Sequence, residues 1–169
     1  MKFDPKPYHQ SVLLIALNEF AQAEVPGAGN NARIIEYHQA TSLRAKEDSV
    51  PWCSSFCCWV TKKAGLKTTP ANAWAESWIG WGAKSAAIPG AVVVLKNHVG
   101  FVVRETKSVV YCLGGNQSDA VNIKAYPISK VLAYRVARAE DVTPVPTVRL
   151  AALRESGDIQ DLSAEEETA

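Results

Sequence analysis

The sequence lacks a strong charge of either sign, since 18 basic and 17 acidic residues leave a formal net charge of +1. Proteins that bind nucleic acid or an anionic membrane electrostatically usually carry a basic face, so this balance argues against that class. No apolar run approaches the roughly 20 residues of a membrane helix. The N-terminal segment MKFDPKPYHQ also lacks the apolar stretch of a secretory signal. We therefore expect no nucleic acid partner, no membrane span and synthesis in the cytoplasm.

Cysteine is scarce, yet three of the four cysteines lie within PWCSSFCCWV, residues 51–60. Disulfides are rare in the cytoplasm, so we expect free thiols rather than a disulfide framework. A zinc site assembled from Cys53, Cys57, Cys58, His98 and Cys112 is a rival interpretation. The spacing C-x3-C-C argues against it, because it lacks the usual C-x2-C knuckle and its other ligands are distant in sequence. We expect neither a metal nor another cofactor.

The order of the periodic segments predicts an α+β fold. Apolar residues at helical spacing predict three helices: Gln10 to Ala23, ARIIEYHQAT (32–41), and Cys53 to Ala64. Gly65, directly after the third, fits a left-handed C-cap. Five short segments rich in Val, Ile and Tyr then follow: AVVVLK, HVGFVVRE, SVVYCLG, AVNIKAYP and VLAYRVA. They predict a C-terminal antiparallel sheet of about five strands, with the N-terminal helices packed on it.

The composition changes after residue 138, which sets the predicted domain boundary. We assign residues 1–138 to one globular domain of ordinary size. Residues 139–169 contain a proline-bearing linker (AEDVTPVPTV), a candidate short helix (RLAALRES) and the polar, acidic end GDIQDLSAEEETA. We expect this last stretch to be a flexible tail.

Cys53 is the cysteine that stands at a predicted helix start. The unpaired backbone N–H groups of a first helical turn favour a thiolate, which is the nucleophilic form. Cys57 and Cys58 lie a turn deeper among apolar residues, and Cys112 lies in an apolar strand. We interpret these three as small buried side chains and Cys53 as the candidate nucleophile.

A nucleophilic thiol needs a base, and the best candidate is His98, at the head of the strand HVGFVV. For His9 and His38 a surface or structural role is the simplest interpretation. A structural histidine bonded to a carbonyl is the alternative for His98 too. As a catalytic base, His98 must meet Cys53 in an accessible cleft, and we expect the pair to be an imidazolium and a thiolate.

A third polar group usually orients such an imidazole. In an antiparallel hairpin the end of VVYCLGGN returns to the start of HVGFVV, so Asn116 or Gln117 can lie beside His98. Asp119 is further along the turn and is a weaker candidate. The alternative for Asn116 is simple turn chemistry after two glycines.

The segments PWCSSFCCWV, HVGFVV, GGNQSDAVNI and VLAYR together resemble the NlpC/P60 and CHAP superfamily of papain-like peptidoglycan hydrolases. A narrower similarity is to a phage-associated, endolysin-type branch that carries a Glu-x-Pro-Gly stretch followed by Asn, matched here by EVPGAGN (24–30). The resemblance implies a papain-like core. It makes Cys53 the nucleophile, His98 the general base and then acid, and Asn116 the polar third residue.

The sequence departs from the family pattern at the third position. Many CHAP proteins have a glutamate two positions before that asparagine, where this chain has Gly114. Many NlpC/P60 proteins use a second histidine, and none follows His98 here. Glu105 and Gln117 are therefore alternatives to Asn116.

The resemblance implies hydrolysis of a peptidoglycan amide bond through an acyl-enzyme, either between muramic acid and L-alanine or within the stem peptide. Trp52, beside the nucleophile, is a candidate wall of the site, and Trp74, Trp78 and Gln117 are further candidates for substrate contact. Burial of one helix face is the more ordinary explanation for Trp74, Trp78 and Trp81.

The expected protein is a monomer whose partner is peptidoglycan. Without a signal segment, it could reach the periplasm or cell wall as an endolysin released through a holin. Injection into a rival cell as an effector is the other route, and it would imply an immunity or delivery protein. The alternative class is a metal-binding or non-catalytic cell-wall-binding module.

Overall fold

The computed structural model of the chain describes residues 1–144. This part contains three α-helices and six strands: α1 (Lys6–Asn18), α2 (Ala32–Gln39), α3 (Cys53–Lys63), β1 (Ala83–Lys84), β2 (Val92–Leu95), β3 (His98–Glu105), β4 (Val109–Gly114), β5 (Asn122–Pro127) and β6 (Val131–Val136). Short 3-10 helices cover Ala75–Gly80, Ile128–Lys130 and Ala139–Asp141. The candidate short helix and the acidic tail lie outside the described residues.

The strands form one antiparallel sheet in the order β1-β6-β2-β3-β4-β5. The predicted α+β class is confirmed, and the five predicted strands are β2 to β6. The sixth, β1, has two residues paired with the end of β6 and is too short to produce a hydrophobic period. Among residues 1–144, no helix combines the length and the hydropathy needed to cross a bilayer.

Helix α1 begins and ends earlier than predicted. Pro5 is its N-cap residue and Pro7 lies in its first turn. N–H groups of a first turn have no partner within the helix, so a proline there costs no helical hydrogen bond. After Glu19 the chain leaves the helix, because Ala21 N–H donates to the Val121 carbonyl and Val121 N–H donates to the Gln22 carbonyl. This backbone pairing ties residues 21–24 to the loop before β5.

Helix α3 is the centre of the core, because its residues from Cys53 to Thr61 are all buried. It packs between the other helices and one face of the sheet, in a cluster that includes Tyr37, Phe56 and Phe101. A second, smaller cluster covers the opposite face of the sheet: Ala91, Val93, Leu95, Val102, Val110, Cys112 and Val136. Gly65 ends this segment at φ +79°, as the sequence predicted.

His9 links the two ends of the fold and is structural, one of the two roles expected for it. Its ring is 1% exposed, and its Nε2 accepts a hydrogen bond from Ala137 N–H at 2.8 Å. Its Nδ1 therefore carries the proton and donates to the Gly90 carbonyl at 2.8 Å. Burial lowers the pKa of His9, which keeps the ring neutral.

Candidate active site

Cys53 is the first residue of α3, and its side chain is 8% exposed, so the sulfur is close to the surface without being open to it. Burial raises the pKa of the Cys53 thiol, while hydrogen bonds from the backbone N–H groups of Val99 and Ser54 act in the opposite direction. The effect of the Val99 amide on this pKa indicates that the start of β3 is close to the thiol. A neutral thiol that already touches several backbone donors is the resting form that these surroundings favour.

The N-terminus of α3 is open because its N-cap residue is Trp52, which makes no side-chain capping bond. The indole Nε1 instead donates to Oε1 of Glu24 at 2.8 Å, away from the helix axis. First-turn N–H groups have no partner within a helix, and Ser, Thr, Asn or Asp normally satisfies one of them. Here these donors remain available for a sulfur or an oxyanion.

His98 begins β3, one residue before the Val99 backbone that touches the thiol. His98 and the Val99 amide thus both lie at the start of β3. The meeting of Cys53 and His98 in an accessible cleft stays a prediction. Burial lowers the pKa of His98, the hydrogen bond with Gln117 raises it, and the charge of Lys124 lowers it further. Within residues 1–144 no hydrogen bond joins the ring to Cys53, and such contacts often tighten only when substrate binds.

These pKa directions correct one expectation. The sequence analysis predicted an imidazolium beside a thiolate, but burial disfavours both charged forms. The resting pair at neutral pH is therefore a thiol and a neutral imidazole. The charges form when the substrate is attacked.

Gln117 fixes the tautomer of His98. Its side-chain Nε2 donates to the carbonyl of Asn122 at 2.8 Å and to that of Cys112 at 3.3 Å, and carbonyls can only accept. The Oε1 atom must therefore be the end that lies 3.0 Å from His98 Nε2. An oxygen at that distance requires His98 Nε2 to carry the proton. Nδ1 is then the unprotonated nitrogen, which is the form needed to accept a proton from a thiol.

The third position is thus filled by Gln117, one residue beyond the expected Asn116. Asn116 sits at φ +56° in the tight turn after β4 and, within the described chain, makes no hydrogen bond to His98. The turn chemistry considered for Asn116 explains it. Glu105 is at the far end of β3, where it contacts the Tyr134 hydroxyl, so it cannot replace Gln117.

Gly114 and Gly115 create the space for this arrangement. A Cβ at Gly114 would lie 3.2 Å from His98 Nε2 and 3.0 Å from Gln117 Oε1. A Cβ at Gly115 would lie 2.6 Å from the Trp52 ring, inside van der Waals contact. The residue at 114 that departs from the CHAP pattern is therefore the residue that lets Gln117 reach the imidazole.

Two of the three tryptophans expected to contact substrate are in the core. Trp52 is fully buried and stacked on Tyr37 with ring centroids 5.8 Å apart, so it is not accessible to a substrate. Trp78 is also fully buried, with Nε1 donating to Ser54 Oγ at 2.9 Å. Trp74 is 57% exposed, in a shallow groove beside Leu43 and Ala73. Only Trp74 remains accessible for a ligand.

The segment around Trp74 contacts the sequence neighbours of both Cys53 and His98. Ser54, which follows the nucleophile, donates through Oγ to the Asn72 carbonyl at 2.7 Å. Asn97, which precedes His98, donates through its backbone N–H to Glu76 Oε1 at 3.0 Å. Trp74 lies between these two anchoring residues in sequence.

The sequence analysis missed Tyr126 and the role of Glu24. The Tyr126 hydroxyl donates to Gln117 Oε1 at 3.0 Å, and its ring centroid lies 5.5 Å from that of His98. Burial raises the pKa of Tyr126 to about 12, so the hydroxyl keeps its proton. Nothing in the strand pattern distinguishes Tyr126 from a packing residue. Glu24 did have a signal, since it opens the EVPGAGN stretch, but its bond to Trp52 could not be read from spacing.

All four cysteines are buried and free of disulfides. Within residues 1–144, no group of three or more His, Cys, Asp or Glu side chains is arranged to hold a metal ion. The rival zinc interpretation of the cysteine cluster therefore has no geometric support in that part of the chain.

No protein-family model matches the chain. A search of curated proteins finds no match either. The similarity to NlpC/P60 and CHAP proteins stays a prediction from motifs.

Proposed function

We propose that the protein is a papain-like cysteine hydrolase that cleaves an amide bond of peptidoglycan. The bond is either the link between muramic acid and L-alanine or one within the stem peptide. One arrangement carries the proposal: Cys53 is the first residue of α3, the Val99 amide of β3 acts on its thiol, and the neighbouring His98 is held through Nε2 by Gln117. Nucleophile, base and orienting group thus form one constellation of three.

The chemistry begins from the neutral pair. When the sulfur of Cys53 attacks the carbonyl carbon, Nδ1 of His98 takes the thiol proton. The imidazolium that forms keeps its Nε2–H bond to Gln117, which becomes charge-assisted and therefore stronger. The negative charge that develops on the carbonyl oxygen is stabilised by first-turn N–H groups of α3, which no side chain among the described residues caps.

Collapse of this intermediate completes the acyl transfer. His98 donates its proton from Nδ1 to the leaving amine, and the C–N bond breaks to leave a thioester on Cys53. The neutral imidazole then activates a water molecule, which attacks the thioester and releases the acid and the free thiol. Neither a metal nor an organic cofactor takes part in this sequence of steps.

The choice of peptidoglycan as substrate rests on the motif resemblance and on the exposed Trp74. An exposed flat aromatic face suits stacking against a sugar or a peptide plane. The proposed place of action is the periplasm or cell wall, reached by holin release or by injection. In the second case an immunity or delivery protein would be a partner.

Digestion of purified sacculi tests the proposal. Wild-type protein should release fragments whose new termini, identified by mass spectrometry, define the bond that is cut. Cys53→Ala and His98→Ala should release none while keeping the wild-type melting temperature within a few degrees. Cys58→Ser is the matched control, because Cys58 Sγ donates to the Asn72 carbonyl at 3.2 Å and a hydroxyl can do the same.

The outcomes separate the alternatives. Full activity in Cys53→Ala would rule out the cysteine mechanism. Sacculus binding without fragment release by wild type would favour a non-catalytic cell-wall-binding module. Cleavage of denatured protein but not of sacculi would leave the hydrolase and remove peptidoglycan as its substrate.

A further inference from the structure

The segment EVPGAGN, residues 24–30, takes no part in the mechanism above, yet its side chains bond to the chain that leads into α3. Glu24 Oε1 accepts a hydrogen bond from the Trp52 indole N–H at 2.8 Å. Asn30 Oδ1 accepts one from the backbone N–H of Asp48 at 2.8 Å. Both contacts fall on the few residues that precede the candidate nucleophile.

Asp48 makes this link reciprocal. Its Oδ2 accepts hydrogen bonds from the backbone N–H groups of Val25 and Asn31, both at 2.8 Å. The Asp48 side chain is buried, and a buried carboxylate is costly unless hydrogen bonds satisfy it. Each segment therefore offers side-chain oxygens to the backbone of the other, and neither can move away without leaving polar groups unpaired.

Two glycines let the segment fold back so that both of its ends face the same stretch of chain. Gly27 has φ +86°, in the left-handed region that favours glycine. A Cβ at Gly29 would lie 2.6 Å from Val25 Cγ1, inside van der Waals contact. The glycines of the motif thus serve the shape that brings Glu24 and Asn30 to their partners.

The same segment also binds the turn that carries Gln117. The backbone N–H of Glu24 donates to the Asp119 carbonyl at 2.9 Å. This turn needs support from outside, because Asn116, Ser118 and Asp119 have φ values of +56°, +53° and +60°. Non-glycine residues keep such conformations only where the surrounding structure fixes them. Part of that support comes from Glu24.

Trp52 connects the two regions that Glu24 contacts. Its ring stacks on Tyr37 with centroids 5.8 Å apart, and a Cβ at Gly115 would lie 2.6 Å from the ring on the side of the Gln117 turn. An indole has a single N–H donor, and here it is bonded to Glu24. Glu24 therefore fixes the orientation of the residue that precedes Cys53.

We propose that residues 24–30 form a positioning clamp, with Glu24 at its centre, which holds the start of α3 and the Gln117 turn in register. The side chain of Glu24 acts on Cys53 through Trp52, and its backbone N–H acts on the turn. Glu24 is a positioning residue and touches no substrate. The inference deepens the proposed function, and its kinetic part rests on that function.

Selective labelling of Cys53 tests the clamp without any hydrolysis. Wild type, Glu24→Ala and Glu36→Ala are treated with iodoacetamide at one fixed pH, and the labelled cysteines are identified by mass spectrometry. Glu36→Ala is the matched control, because Glu36 Oε1 accepts from the Trp59 indole of the same helix at 2.9 Å. Glu36 also pairs with Arg33 at 2.8 Å, so its removal is no milder a perturbation.

Glu24→Ala should label Cys53 about tenfold faster than wild type, because opening of the first turn of α3 no longer breaks a charge-assisted hydrogen bond. The other three cysteines should stay protected, and Glu36→Ala should label Cys53 at the wild-type rate. A wild-type rate in Glu24→Ala overturns the proposal. Equal acceleration in Glu36→Ala, or labelling of all four cysteines, also overturns it, since either would show a general loss of stability.

Kinetics on sacculi test the functional part. Glu24→Ala should lower kcat by about tenfold to a hundredfold, because a misplacement of about 1 Å can cost about 10² in rate. Glu24→Gln keeps an acceptor for the indole and should restore most of the rate, and Asn30→Ala should give a smaller loss. An unchanged kcat in Glu24→Ala overturns the clamp. An inactive wild type would refute the proposed hydrolase, and the labelling would still decide the clamp.

Discussion

Replacement of Gln117 by alanine is the sharpest test of the site, because this residue was placed by the structure and not by the motif. Gln117 is 2% exposed, and its Oε1 accepts from both His98 Nε2 and the Tyr126 hydroxyl at 3.0 Å. In Gln117→Ala the His98 ring loses the acceptor that selects its tautomer. It also loses the group that stabilises the imidazolium during attack.

The expected loss of rate follows from the lost stabilisation of the His98 imidazolium. A hydrogen bond to a charged group contributes about 1.5–3 kcal/mol. Each 1.36 kcal/mol of transition-state stabilisation corresponds to about tenfold in rate, so kcat should fall by roughly 10- to 150-fold. The KM should change little, because Gln117 holds the imidazole and is itself buried.

A pH profile distinguishes this role from general destabilisation. The hydrogen bond with Gln117 raises the pKa of His98 against the effect of burial. Without it the ring becomes a weaker base, so the acid limb of kcat/KM should move to lower pH in Gln117→Ala. A merely structural defect would lower the rate at every pH without moving the limb.

Two further variants keep the test informative. Asn116→Ala removes the neighbouring polar side chain and should stay within about twofold of wild type. Asn122→Ala removes the Oδ1 atom that holds Gln117 Nε2 at 2.9 Å, and it should give a smaller rate loss with the same shift of the acid limb. The reasoning is refuted if folded Gln117→Ala keeps its rate and Asn116→Ala loses it.

Three other predictions concern packing and titration. Gly115→Ala should destabilise the fold by about 1–3 kcal/mol by overpacking and should displace α3, whereas Gly80→Ala, with nothing within 4 Å of its new Cβ, should melt like wild type. The free energy of unfolding should fall as pH drops below about 6.5, since the pKa of His9 is lowered in the fold and the unfolded chain takes up the proton first. Urea titrations at pH 7.5 and 5.0 measure this loss of stability, which should be smaller in His9→Gln than in wild type. Iodoacetamide should alkylate Cys53 slowly at pH 7 and faster above about 8.5, because burial raises the pKa of the thiol. An alkylation rate that is already maximal at pH 6 would show a resting thiolate instead.

The sequence predicted the elements that depend on local pattern. β3 matches the segment HVGFVVRE from His98 to Glu105, and α3 begins at Cys53, because alternation and helical spacing are properties of consecutive residues. The antiparallel pairing of β3 and β4 also predicted that the turn after β4 lies beside His98. Which residue of that loop makes the contact depended on the tight turn at Asn116, where φ is +56°, and a pattern does not encode that rotation.

The tryptophans show a different limit. Trp52 was a candidate wall of the site because it precedes Cys53, and Trp78 because an indole offers a flat apolar face, but both indoles are buried. Trp52 donates to the half-buried Glu24, and Trp78 donates to the buried Ser54. The partners come from distant segments, so the inward orientation could not be derived from spacing alone.

The bond between His9 and Ala137 joins residues separated by 128 positions. During synthesis the first helix would emerge long before the strand whose end it must contact. Until that strand is synthesised, the His9 imidazole would have no Ala137 N–H from which to accept a hydrogen bond. The face of α1 that is buried in the complete fold would stay exposed to solvent. Cys53 and His98 lie between His9 and Ala137 in sequence, so a truncated nascent chain should not assemble the candidate site.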